Sequence, residues 1–164
     1  MNSFTISFFM RLLALLKDFL RNPDGSVRNT LYLTALSCLG TDVTPNDIVP
    51  DEYGCAETVN AIYKKAFGVQ IGGGPSTYLL YLVLCKHPKF IPIDIPDKGD
   101  IIISPSGFGN GNLPSGHVGI VSIDKKIMSN DSSTGIFKEN YTLDSWKEKY
   151  VALGGYPMKF FRRI

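Results

Sequence analysis

An α+β fold, with helices first and an antiparallel sheet after them, is what this chain of 164 residues predicts. Two observations carry that expectation. Up to about His87, apolar residues recur at helical spacing in segments bounded by capping residues, glycine or proline. From Gly99 onward, short apolar runs such as "GDIIISP" and "HVGIVSI" alternate with glycine-rich or polar turns.

The first segment, "FTISFFMRLLALLKDFLR", is apolar but interrupted by Arg11, Lys17 and Asp18. It has neither the basic start nor the cleavage site of a signal peptide, and it is short for a membrane span. An amphipathic helix packed on the domain is expected, in preference to membrane contact. The turn "NPDGS" ends it, and a second helix is expected from Ser26 to Leu39, stopped by Gly40. After a polar, proline-bearing loop a third helix starts near Cys55. Val59, Ile62 and Ala66 follow that cysteine four, seven and eleven residues on, along one face, and Gly68 closes the helix. In "IGGGPSTYLLYLVLCKHP" the glycines lack the Gly-Lys-Ser/Thr of a phosphate loop. A plain loop is expected there, then a helix capped by Ser76 or Thr77 and ended before Pro88.

In the second half, "GDIIISP", "HVGIVSI", "IMSN" and the apolar part of "GGYPMKFFRRI" read as strands. "SGFGNGNLPSG" reads as a loop, and "TLDSWKEKY" as a short helix or turn. Residues 1–46 are expected to form a helical region packed on a core domain of residues 47–164, the whole being one compact unit. Net charge is +2, so nucleic acid is not indicated as a partner. Lys159, Arg162 and Arg163 are expected to form a solvated cluster.

Three cysteines cannot form a complete disulfide framework. Cys38 and Cys85 lie in apolar helical stretches and are expected to be buried thiols. Cys55 is different, because it follows Gly54 where a helix begins. There the positive end of the helix dipole favours a thiolate, and the glycine permits a sharp turn and close approach. His117 opens the strand "HVGIVSI", sharing one face with Gly119, Val121 and Ile123, and is expected to remain reachable by solvent. With a two-residue turn, Asp124-Lys125, Asn130 comes to the face of His117. With a three-residue turn, Asp124-Lys125-Lys126, Ser129 and Asp131 come there instead. Asn130 is preferred, since its amide oxygen can accept the imidazole N–H; Cys-His-Asn is a working combination. Asp100 is expected to tie down a turn, Glu57 to be solvated, and "NYT" at Asn140 to be a chance glycosylation match.

"YGCAETVNAIY", "PDKGDIIIS" and "GHVGIVSIDKKIMSN" together resemble the NlpC/P60 and CHAP families of papain-like cell-wall hydrolases, over about residues 51–130. The sequence departs from their patterns in having Gly-Cys-Ala-Glu at the cysteine, and Asn or Ser in the third position. The resemblance implies a papain-like sheet of about five strands and a catalytic set of Cys55, His117 and Asn130. It implies cleavage of an amide bond in peptidoglycan by a monomer without metal or cofactor, with the loop from Ser106 to Gly116 as one cleft wall. It implies action on the cell wall, reached by release from a host cell as phage lysins are, or by export. On the same scaffold the alternatives are an acyltransferase or deamidase and a non-catalytic binding module.

Overall fold

The computed structural model describes residues 27–44, 50 and 53–164. The expected helix over residues 4–21 lies outside them. Three helices come first: α1 (Val27–Cys38), α2 (Cys55–Phe67) and α3 (Thr77–Lys86). Then follow β1 (Phe90–Ile93), β2 (Ile101–Ser104), β3 (His117–Val121), β4 (Lys126–Asn130) and β5 (Phe137–Thr142). A short helix, α4 (Leu143–Trp146), widens into a π-helical segment, Lys147–Leu153, before β6 (Lys159–Arg163). The α+β class holds. The sheet has six antiparallel strands in the order β1-β6-β2-β3-β4-β5, where about five were expected.

Local chemistry sets the helix ends. Gly68 takes the left-handed conformation, φ 77°, and returns its N–H to the Lys64 carbonyl. The Ser76 side chain accepts the Leu79 N–H and caps α3. Thr142 and Ser145 form a reciprocal capping box at α4.

Both faces of the sheet are covered, which explains why "GDIIIS" is continuously apolar instead of alternating. On one face Ile101, Ile103, Val118, Ile120 and Phe161 pack against α1, α2 and α3. On the other, Ile102, Val121, Ile127 and Phe160 pack against Trp146, Tyr150 and Tyr156. Trp146 is fully buried, and its indole N–H donates to the Ser104 hydroxyl at 3.0 Å. α1 belongs to the first core through Leu31, Ala35 and Cys38. The chain after it is tied to β5 by Gly40 N–H to the Phe137 carbonyl and Phe137 N–H to the Thr41 carbonyl.

Three expectations are corrected. Cys85 is exposed, because α3 buries Thr77, Leu80 and Leu84 on a different side. The C-terminal basic residues are not simply solvated. Arg162 grips the buried Asp100, and Arg163 lies 3.8 Å over the Phe67 ring while donating to the Tyr63 hydroxyl. The β3–β4 turn has three residues, Ile123-Asp124-Lys125, closed by Ser122 N–H to the Lys126 carbonyl. Asp124 and Lys125 both take positive φ, 53° and 56°.

Candidate active site

Cys55 is the first residue of α2, and the N-cap residue, Gly54, has no side chain to cap that end of the helix. Gly54 has an ordinary right-handed backbone, φ −72°, so conformational freedom is not what the glycine supplies. Its lack of a side chain leaves the first-turn N–H groups uncovered. The thiol lies on the floor of a cleft of about 160 Å³ lined by Tyr53, Pro75, Ser76, Thr77, Ser106, Ser115 and Gly116. The glycine-rich loop is therefore one wall, as expected.

Hydrogen bonds that no motif announces hold this wall. The Thr77 and Ser106 hydroxyls lie 2.8 Å apart, Ser106 N–H donates to Thr77 Oγ1, and Gly116 N–H donates to Ser106 Oγ. A side chain at Gly116 would run into the Ser104 carbonyl, so only glycine lets the loop close down just before His117. On α2, five residues after Cys55, Asn60 bonds both the N–H and the carbonyl of Gly72, fixing the loop that delivers Pro75 and Ser76. Asn60 lies off the apolar face that Cys55, Val59, Ile62 and Ala66 mark on α2. It is nevertheless buried, and a buried amide needs hydrogen-bond partners, which the Gly72 backbone supplies.

The helix dipole does not make Cys55 a thiolate. Burial pushes the thiol up to about 11, although the backbone N–H groups of Val118, Ala56 and Cys55 itself point at the sulfur and pull the other way. Magnitudes explain the outcome: a helix terminus is worth about 0.3–1 kcal/mol, and full burial moves a pKa by up to about 3–5 units. Iodoacetamide at pH 8 is therefore expected to label exposed Cys85 well before Cys55, with labelling of Cys55 accelerating as the pH approaches 11. Peptide mapping reads this directly. Cys55 labelled first at pH 8 would show a depressed thiol instead.

His117 is 3% exposed, not reachable by solvent as expected. Its ring stacks on Tyr150 at 5.3 Å and 11°, with Trp146 and Tyr141 packed around it. Burial, with the charge of Lys149 adding to it and Asp131 opposing, pushes the imidazole from its ordinary 6.5 down to about 3. Both groups of the candidate pair are thus neutral near pH 7.

The β3–β4 register pairs Ile120 with Met128 and Val121 with Ile127. Continuing it sets Ser129 opposite Gly119, on the face of the His117 ring. His117 Nε2 lies 3.0 Å from Ser129 Oγ, and Ser129 Oγ donates to Asn140 Oδ1 at 2.7 Å. Asn130, the preferred third residue, pairs with Phe137 and so lies on the other face, the one α2 covers. The two-residue turn behind that preference is replaced by a three-residue turn that starts at Ile123, one residue before either expected turn. Asp131 turns to Lys138 and Ser133, whose hydrogen bonds hold its carboxyl below the usual range.

Cys55 and His117 approach the start of β3 from opposite faces of the sheet. The backbone N–H of Val118 acts on the sulfur, while the imidazole bonds Ser129. They do not share a hydrogen bond here, although Tyr150, stacked on His117, has its phenol pushed up by burial, by Tyr141 and, to a lesser degree, by the charge of Cys55.

Beside the cleft, and sharing Ser106 with it, is a wider hollow of about 450 Å³ lined by Tyr78, Gly107 and Phe108. Tyr78 and Phe108 are half exposed, with ring centroids 5.8 Å apart. Among the described residues, no helix is long and apolar enough to cross a membrane. Neither the protein-family models nor the curated proteins compared with this chain give a match.

Proposed function

We propose that the chain is a papain-like cysteine hydrolase that cleaves an amide bond in peptidoglycan through a thioester. One observation carries this reading. A cysteine at the uncapped start of a helix lies on the floor of a cleft, and the wall of that cleft ends immediately before a buried histidine. The resemblance of "YGCAETVNAIY" and "GHVGIVSI" to NlpC/P60 and CHAP sequences supports the substrate class.

Because both groups start neutral, the mechanism is general-base assisted and does not begin from an ion pair. His117 Nε2 is engaged by Ser129, so Nδ1 is the nitrogen left to take a proton. As Cys55 Sγ bonds to the substrate carbonyl carbon, its proton passes to His117. This requires the two side chains, on opposite faces of the sheet and without a shared hydrogen bond, to meet at the open start of β3. Catalytic hydrogen bonds are often long without substrate and tighten in the complex. The oxyanion is met by the Cys55 backbone N–H at the positive end of α2. The C–N bond then breaks and His117 returns the proton to the leaving amine. Water, deprotonated by His117, releases the acid from the thioester and regenerates the thiol. These steps call on no metal or cofactor. The hollow between Tyr78 and Phe108 gives an extended substrate an apolar shelf next to the cleft.

The test is digestion of purified peptidoglycan with wild type and Cys55→Ala, followed by mass spectrometry of the released fragments. Wild type is expected to release peptides with a new terminus, and Cys55→Ala none. Equal release by both would overturn the hydrolase reading. Binding to the wall without release by either would favour the non-catalytic module.

A further inference from the structure

The strand pairing beside His117 contains an irregularity with a chemical consequence. β4 and β5 pair Lys126 with Thr142 and Ile127 with Tyr141, and then Met128 with Glu139 and Ser129 with Lys138. One residue of β5 has no opposite number in that sequence of pairs, and it is Asn140. In an unbroken ladder Asn140 would oppose Met128, whose side chain enters the core on the helix-covered face. The bulge turns it to the other face instead, where its side-chain oxygen takes the Ser129 hydroxyl at 2.7 Å.

We infer that Asn140 is a positioning residue that fixes the tautomer of His117 through the Ser129 hydroxyl. A hydroxyl has one hydrogen. Ser129 donates its own to Asn140, so toward His117 it can only accept. His117 Nε2 must then carry the imidazole proton. In a neutral ring this leaves Nδ1 with its lone pair free, and a base that is to take the proton of Cys55 needs that lone pair. If Asn140 is lost, Ser129 is released to donate to Nε2, and the ring can move its own proton to Nδ1. The amide that orients this histidine is thus two bonds away, on the strand beyond the one where a neighbour was sought. The tautomer assignment stands on geometry alone; its catalytic meaning rests on the hydrolase reading.

The experiment is a long-range proton–nitrogen NMR spectrum of the full chain labelled with ¹⁵N-histidine. The chain has two histidines, and His87→Gln assigns the signals of the other. In wild type near pH 7, His117 is expected to be neutral with the proton on Nε2. Asn140→Asp keeps an acceptor and is expected to keep that tautomer. Asn140→Ala is expected to shift the population toward the Nδ1–H form. In the peptidoglycan assay Asn140→Ala should lower kcat by at least about tenfold with KM little changed, and Asn140→Asp should restore much of the rate. A proton on Nδ1 in wild type would overturn the inference. So would an Nε2–H tautomer in Asn140→Ala as complete as in wild type, or equal loss in both variants. Wild type that shows the expected tautomer but cleaves nothing would overturn the hydrolase reading and leave the tautomer assignment standing.

Discussion

Acidification from pH 7 to pH 4 is expected to cost the wild-type fold about 3 kcal/mol through His117 alone, and His117→Phe should abolish that share. In the unfolded chain the imidazole titrates near its ordinary 6.5; in the fold it is pushed down to about 3. Between those values the unfolded chain binds a proton that the fold does not, so stability falls as the pH falls. The contribution is complete above about 6.5 and is lost progressively toward 3. The cause is burial first: His117 is 3% exposed and enclosed by Tyr141, Trp146 and Tyr150. The ammonium of Lys149, held by the Tyr141 hydroxyl at 2.7 Å, adds to it, and Asp131 opposes it weakly. Phenylalanine fills the slot against Tyr150 without a titrating group. The measurement is the urea midpoint of both proteins across pH 4–7. Asp131 also titrates low, but it is present in both proteins, so the difference between the curves chiefly reports His117. Parallel curves would mean that His117 is not buried in its neutral form.

The same residue shows how far sequence reading reached. The alternation that put His117, Gly119 and Val121 on one face of β3 is observed, because a strand has a fixed period of two. Its partner depended on one residue of turn length. The turn uses positive φ at Asp124 and Lys125, neither of them glycine, and nothing in "IDKK" declares that in advance. One residue of difference moved the partner from Asn130 to Ser129, since parity reverses every side chain that follows. The helices were legible from their caps and glycines. The central strands were legible from apolar runs. β1 and β5, which no unbroken apolar run marks, are the two edges of the sheet. β1 carries Pro92, which an edge tolerates, and β5 is "FKENYT", half-buried and mostly polar. Asn140 was beyond reach for the same reason: a bulge in a polar edge strand leaves no periodicity to read. Cys85 was misplaced because "YLLYLVLC" is apolar around its whole circumference, so the pattern does not say which side is covered.

Arg162→Met is expected to destabilise the protein by about 3 kcal/mol, a large part of the roughly 5–15 kcal/mol that holds an ordinary domain together. Asp100 is completely buried, and Arg162 meets it with two bonds, Nε to Oδ1 at 3.0 Å and Nη2 to Oδ2 at 2.7 Å. The carboxylate also accepts the Asp97 N–H at 2.7 Å, and the guanidinium reaches the Ile95 carbonyl. One pair thereby ties β6 to the turn that starts β2. Methionine keeps the length of the side chain but leaves a carboxylate in the interior with a single N–H. The lower end of the range for a broken buried pair applies, because the Arg162 side chain is 28% exposed and water can reach it. Arg162→Lys should fall between the two, since an ammonium cannot make both bonds in the same plane. The double variant Arg162→Met with Asp100→Asn should be less damaged than the sum of its parts, because most of the loss comes from the stranded charge and not from the missing attraction. Urea midpoints of the four proteins measure this cycle. Additive losses, or a loss in Arg162→Met below about 1 kcal/mol, would show a solvated surface contact of the kind the C-terminal sequence suggested.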